Sequence, residues 1–155
     1  MDINEENITE FTLTIPLPSV ILTAQQGENR FVKSSLTKQY RETCMLLATS
    51  TKHSLKISFP ISKKVRIHHT WYCGKNAYEM AAGAKCAKKY RQYRPKDAAN
   101  AITALKAAID GIVDAGVLVD DRSDFVEWGK FVRLSTQKQH GGRCEIVLRF
   151  EVVDR

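Results

Sequence analysis

The 155-residue sequence lacks any apolar run close to the roughly 20 residues that a helix needs to span a bilayer. It also lacks the basic start and apolar centre of a signal peptide, because Asp2, Glu5, Glu6 and Glu10 make its beginning acidic. These absences argue against a membrane-spanning or exported protein. We expect a soluble, cytoplasmic protein whose residues 1–9 form a flexible acidic tail.

Cysteine is scarce, and its spacing fits no common metal motif. None of the four cysteines belongs to a CxxC pair, and their intervals match no zinc ribbon or zinc finger. A zinc site that uses His68, His69 or His140 therefore has no spacing argument in its favour. Small buried thiols are the interpretation that we favour for all four, which are Cys44, Cys73, Cys86 and Cys144.

The sequence contains no internal repeat and no sign of a second domain. Its length suits one domain that buries a core without disulfides, and 43% hydrophobic with 26% charged residues excludes a disordered or fibrous chain. Lysine and arginine number 24 against 17 aspartates and glutamates, a net charge of +7. This charge indicates a polyanionic partner, with nucleic acid more favoured than a membrane surface.

Much of the positive charge lies in a basic insertion or loop over residues 74–96. Two interpretations stand side by side: a solvated face, or a surface that binds nucleic acid and stacks Tyr90 and Tyr93 on bases. Six of these cations lie within residues 85–96, which contain no acid, and they are Lys85, Lys88, Lys89, Arg91, Arg94 and Lys96.

Apolar periodicity predicts both strands and helices. Helical spacing predicts one helix from about residue 36 to residue 51 and another from its N-cap Asp97 to Gly116. Residues that alternate between apolar and polar predict strands over residues 11–15, 65–72, 125–134 and 144–152. We expect a single α+β domain: a mixed sheet, two main helices packed on it, and a C-terminal hairpin formed by the last two strands.

Acidic residues flank the second predicted helix, with Asp97 before it and Asp120 and Asp121 after it. Hydrolysis of a phosphodiester needs an activated water and relief of the phosphate charge, and Mg²⁺ held by carboxylates supplies both. A basic chain with such acids is therefore a nuclease candidate. A straight helix would hold the two sites roughly 28 Å apart, so they meet only if the helix is shorter or the chain returns.

The residues alone leave simpler interpretations open. Asp97 can be only a helix cap, and residues 120–124 can be only a solvated turn. Lys106 can be only an exposed partner of Asp110 one helical turn away.

The stretch from Asp97 to Asp121 resembles the signature of the RusA-type Holliday junction resolvases of phages and prophages. Its sequence is DAANAITALKAAIDGIVDAGVLVDD. The family signature runs Asp-x-Asp-Asn, a lysine, Asp-Gly/Ala-Leu, and the specific block Ala-Gly-hydrophobic-hydrophobic-x-Asp-Asp. More loosely, residues 11–18, 34–48 and 138–150 resemble the opening strand, first helix and closing Gly-Gly hairpin of the family. The resemblance covers most of residues 11–150, apart from an insertion at residues 74–93, and we expect residues 10–155 to form one RusA-like domain.

The resemblance implies a Mg²⁺-dependent endodeoxyribonuclease that acts as a homodimer and nicks four-way and branched DNA symmetrically in recombination and repair. Asp97 and Asp121 match the metal-binding acids of the family, with Asp120 beside them, and Lys106 matches its functional lysine. We therefore expect Asp97, Asp121 and Lys106 to be catalytic. Asn100 matches the asparagine of the signature and joins the six cations as a DNA contact. For a phage-encoded chain, the place of action would be the host cytoplasm.

One position departs from the family signature: Ala99 stands where its second aspartate would be. The chain then lacks one expected metal carboxylate, and Asp120 or water would have to supply that ligand. This departure motivates the alternative of a branched-DNA-binding accessory protein with weak or no nuclease activity. A third hypothesis, a basic domain that binds a protein partner, predicts no steep salt dependence of DNA affinity.

Overall fold

Four strands form the sheet in the computed structural model, which describes residues 10–23, 30–55, 58–73, 93–135 and 143–153. The periodicity of the sequence located each of them to within two residues. In β2 every second residue is buried, because successive side chains point to opposite faces of a strand. The strands are β1 (Glu10–Pro16), β2 (Val65–Cys73), β3 (Val126–Ser135) and β4 (Glu145–Val152).

The strand order is β1-β4-β2-β3, so the predicted C-terminal hairpin is wrong. β4 lies between β1 and β2 and is antiparallel to both. β3 lies beyond β2 and is parallel to it. The apolar alternation of β4 suits a central position, since it aligns Phe150 with Phe11 and Leu148 with Leu13 of the neighbouring β1.

Three α-helices complete the described part of the fold: α1 (Arg30–Ser54), α2 (Ala98–Ala104) and α3 (Lys106–Asp114), with a short 3-10 helix at Val20–Thr23. α1 begins six residues earlier than predicted, because its first turns are exposed and carry no apolar stripe. It ends three residues later than predicted. The single helix predicted after Asp97 is divided in two at Leu105. Gly116 ends α3 as expected, with a φ of +75°.

The core lies between one face of the sheet and the helices. Phe11 stacks on Phe150 at a ring separation of 4.7 Å, and the Tyr40 hydroxyl of α1 donates to the carbonyl oxygen of Pro16 at 2.7 Å. α1 and α3 approach closely at Gly111, where a Cβ atom would overlap the carbonyl oxygen of Arg41. These contacts fix the position of α3 relative to the sheet.

The described residues form one small α+β domain with a mixed sheet, as predicted. Cys44 and Cys73 are buried as expected, while Cys144 is partly exposed. Residues 1–9, 74–92 and 136–142 lie outside the described part of the chain. Within that part, no helix combines the length and the apolar character that a bilayer span requires.

Candidate functional site

Asp97 caps α2 with its side chain. The residue has extended backbone angles, and its Oδ1 accepts a hydrogen bond from the backbone N–H of Asn100 at 2.9 Å. This contact satisfies one of the free N–H groups at the start of a helix. The cap confirms the structural role predicted for Asp97, and it leaves both Asp97 and Asn100 exposed.

The break between α2 and α3 places Lys106 at the start of a helix. Leu105 is fully buried, and its N–H is shared between the carbonyl oxygens of Ala101 and Ile102, each at 3.1 Å. This tight turn ends α2, and α3 begins at the next residue. Lys106, with 76% of its side chain exposed, therefore points into solvent at the junction of the two helices.

The chain reverses after α3 and brings Asp121 back to this junction. At Gly116 the N–H groups of Gly116 and Val117 bond to the carbonyl oxygens of Val113 and Ile112, the pattern of a Schellman motif. The nine residues of α3 span about 13 Å. The five residues 117–121 would span up to about 16 Å if they were fully extended. The return is thus long enough for the Asp121 carboxylate to lie 3.9 Å from Lys106 Nζ.

Asp120 is engaged with its immediate neighbours. Its Oδ1 accepts from the backbone N–H of Asp121 at 2.7 Å, and its Oδ2 contacts Arg122 Nε at 2.7 Å. The hydrogen bond from Asp121 and the charge of Arg122 lower the pKa of Asp120. Asp120 is therefore ionised at neutral pH, with both oxygens occupied.

These carboxylates suit a hard cation by their chemistry. Mg²⁺ prefers oxygen ligands and is commonly held by one or two carboxylates, with water and substrate phosphate in the other positions. In the described part of the chain, no group of three or more His, Cys, Asp or Glu side chains is arranged to hold a metal. Asp121 is the better ligand candidate of the pair, because Asp120 already uses both oxygens. The seven residues of α2, about 10 Å of helix, separate Asp97 from Leu105.

The predicted DNA-binding cations are described only in part. Lys96 is exposed, as a phosphate contact requires. Arg94 is half-buried, and its Nε is buried without a hydrogen-bond partner among the described residues, which indicates a packing role for at least part of its guanidinium group. The remaining four lie outside the described residues and are Lys85, Lys88, Lys89 and Arg91.

A second basic surface, which was not predicted from the sequence, lies along α1. An open groove of about 740 Å³ lies between α1 and the end of α3. Arg41 bonds to both carboxylate oxygens of Asp114, at 2.6 and 2.8 Å, and so lowers the pKa of that carboxyl. The spacing of the basic residues on one helix face would have revealed this surface had α1 been predicted to start at residue 30. Its cationic lining is Arg30, Lys33, Lys38 and Arg41.

Charges on the open face of the sheet neutralise one another. Arg66 bonds to Glu127 at 2.5 Å, and His68 lies 2.6 Å from Glu151. These partners lower the pKa of each glutamate. Acids and bases thus pair across the strands on this face of the sheet.

His68, which had no predicted role, completes a bulge between β2 and β3. The register shifts at this point, and His68 Nδ1 accepts the backbone N–H of Lys130 at 2.9 Å. The imidazole thus takes the place of a missing strand partner. Gly129 makes room for it, since a Cβ there would lie 2.5 Å from the ring.

Two comparisons of the sequence with known proteins found no match. No protein-family model matches the chain, and no curated protein matches its sequence. The functional assignment therefore depends on the motif and on the arrangement of its residues.

Proposed function

We propose that this chain is a Mg²⁺-dependent, structure-specific endodeoxyribonuclease that acts as a homodimer on Holliday junctions and other branched DNA. The observation that carries the proposal is the pair of Lys106 and Asp121, two residues of the RusA-like motif that lie 3.9 Å apart although 15 positions separate them. The net charge of +7 supports a polyanionic substrate. We place the action of this enzyme on its polyanionic substrate in the cytoplasm.

Asp121 would hold the metal ion, with Asp97 and Asp120 as the further ligands that the motif suggests. When bound, Mg²⁺ supplies an activated water and neutralises charge on the attacked phosphate. Lys106 would contact a non-bridging oxygen of that phosphate and stabilise its developing charge. An exposed ion pair contributes at most about 1 kcal/mol, so the ammonium can leave Asp121 for the phosphate at little cost.

Cleavage of a labelled four-way junction tests the metal-binding role. Asp121→Asn should abolish Mg²⁺-dependent nicking and leave junction affinity within about threefold, because the carboxylate acts on the metal rather than on DNA. Asp124→Asn, an exposed acid three residues further on, is the matched control and should cut normally. Normal cutting by Asp121→Asn would show that the site is assigned wrongly.

The role of Lys106 is tested by comparing rate with affinity. Lys106→Ala should slow cleavage by about 100-fold, on the scale of one lost electrostatic contact to the transition state, while junction affinity changes much less. Lys130→Ala, on the exposed bulge of β3, is the control. Equal losses of rate and affinity would make Lys106 an ordinary phosphate contact.

The second candidate is a branched-DNA-binding protein without efficient nuclease activity. It is favoured by Ala99, whose methyl group stands on the exposed first turn of α2 where the family signature has a carboxylate. Tight, salt-sensitive junction binding without nicking at any Mg²⁺ concentration would support this candidate over the first. Ala99→Asp should then confer or enhance cleavage if the missing carboxylate is the cause.

A further inference from the structure

Cys73 is the last residue of β2, and Cys144 stands directly before β4, the neighbouring strand. The antiparallel register of β2 and β4 pairs Tyr72 with Glu145, so the next pair outward is Cys73 with Cys144. Both belong to the helix-facing side of the sheet: Cys73 continues the buried series of β2, and Cys144 packs against the core. The two thiols also interact electrostatically.

This placement permits a disulfide at modest strain. Directly opposite residues in antiparallel strands have Cα atoms about 4.5–5.5 Å apart, within the range of about 4.4–6.8 Å that disulfides span. The Cβ atoms of such opposite residues lie about 4.5–5.5 Å apart. This separation is longer than the mean Cβ–Cβ distance of about 3.8 Å in disulfides. Closure must therefore draw the strand ends together, and strained disulfides of this kind are readily reduced.

Access to the pair is one-sided. Cys144 lines an open pocket of about 630 Å³, with Leu47 of α1 and Arg143 among its neighbours. Cys73 is only 1% exposed. A small reagent in the pocket can thus reach Cys144 directly, and Cys73 only through Cys144.

The surroundings of Cys73 contain two guanidinium groups. Burial raises the pKa of the Cys73 thiol, while Arg94 and Arg133 act in the opposite direction by favouring the thiolate. Arg133 is itself held by a hydrogen bond to the carbonyl oxygen of Pro95 at 2.8 Å. Burial is the larger effect, so the pKa of the Cys73 thiol stays raised, and the two cations offset this increase in part.

We propose that Cys73 and Cys144 form a reversible dithiol site that low-molecular-weight disulfides oxidise. Cys144 loses its proton to solvent, and its thiolate attacks one sulfur of the small disulfide. That S–S bond breaks, and the first small thiol leaves. The Cys73 thiol then attacks Cys144 Sγ and gives its proton to the departing sulfur, which leaves as the second small thiol while the Cys73–Cys144 bond forms. Two protein thiols are oxidised, and one small disulfide is reduced to two thiols.

Oxidation of the reduced full-length chain with glutathione disulfide tests the site, independently of any nuclease activity. Free thiols should fall from four to two, and peptide mass mapping should recover one cross-linked species that joins Cys73 to Cys144. A reducing thiol should restore all four. A persistent glutathione adduct on Cys144, or a bond from either residue to Cys86, would overturn the proposal.

Variants separate the two steps. Cys73→Ser should lose one thiol and keep a stable glutathione adduct on Cys144, and Cys73→Ala serves the same purpose if the serine disturbs the core. Cys144→Ser should lose no thiol at Cys73. Cys86→Ser is the matched control and should still lose two thiols; failure to do so would refute the assignment.

Discussion

Gly111 controls how closely α1 and α3 approach, and its replacement by alanine should weaken the fold. The new Cβ would overlap the carbonyl oxygen of Arg41 and lie 3.0 Å from the backbone nitrogen of Met45. Both are backbone atoms inside a helix, so no side-chain rotation relieves the overlap. The two helices must separate by at least about 0.7 Å for the Cβ atom to clear the Arg41 oxygen by 3.0 Å.

The expected net destabilisation is about 2 kcal/mol. Overpacking of a close contact typically costs about 1–3 kcal/mol, and a backbone overlap belongs at the upper end of this range. Alanine in place of glycine within a helix returns about 1 kcal/mol. For a chain of this length the difference corresponds to a fall in Tm of about 4–8 °C.

Thermal and urea unfolding of Gly111→Ala, followed by circular dichroism, measure the effect. The matched control is the same substitution in an Arg41→Ala background, where the cost should be unchanged because the overlapping atom belongs to the backbone. An unchanged or higher Tm would refute the close approach. Rescue by Arg41→Ala would show that the side chain, and not the helix backbone, meets the new methyl group.

Two further predictions concern the histidines of β2. His69 is buried between Trp128 and Phe131, and burial, with a smaller effect of His68, lowers its pKa from 6.5 to about 4. The unfolded chain therefore binds more protons between these values, and the free energy of unfolding should fall by up to about 3 kcal/mol as pH drops from 6.5 to 4. Trp71 Nε1 donates a hydrogen bond to His69 Nδ1, and the amide oxygen of an asparagine can accept this bond instead. His69→Asn should therefore remove this part of the pH dependence. An identical pH profile in both proteins would contradict the burial argument. Gly129→Ala should cost about 1–3 kcal/mol in the wild-type background and much less in a His68→Ala background, and a double-mutant cycle with no coupling would contradict the proposed bulge contact.

Local signals in the sequence were sufficient for the strands and for the two ends of the helical segment that begins after Asp97 and ends at Gly116. The alternation in residues 11–15 and 146–152 reflects one buried face of a strand, which depends only on the two-residue period of the backbone. Asp97 and Gly116 act as cap and terminator because hydrogen bonding within a single turn decides those roles. The RusA-like motif likewise is a property of the sequence, and the function that it suggests stays a prediction.

Long-range contacts decided the rest. Nothing local to β3 and β4 says that β2 separates them, because strand order depends on which sheet position buries each strand best. The division of one helix into α2 and α3 at the buried Leu105 follows from packing rather than from helix propensity. By itself the sequence determined where Lys106 and Asp121 lie along the chain. Only the tertiary structure placed them 3.9 Å apart, because a short α3 and a reversal at Gly116 return the chain to the start of that helix.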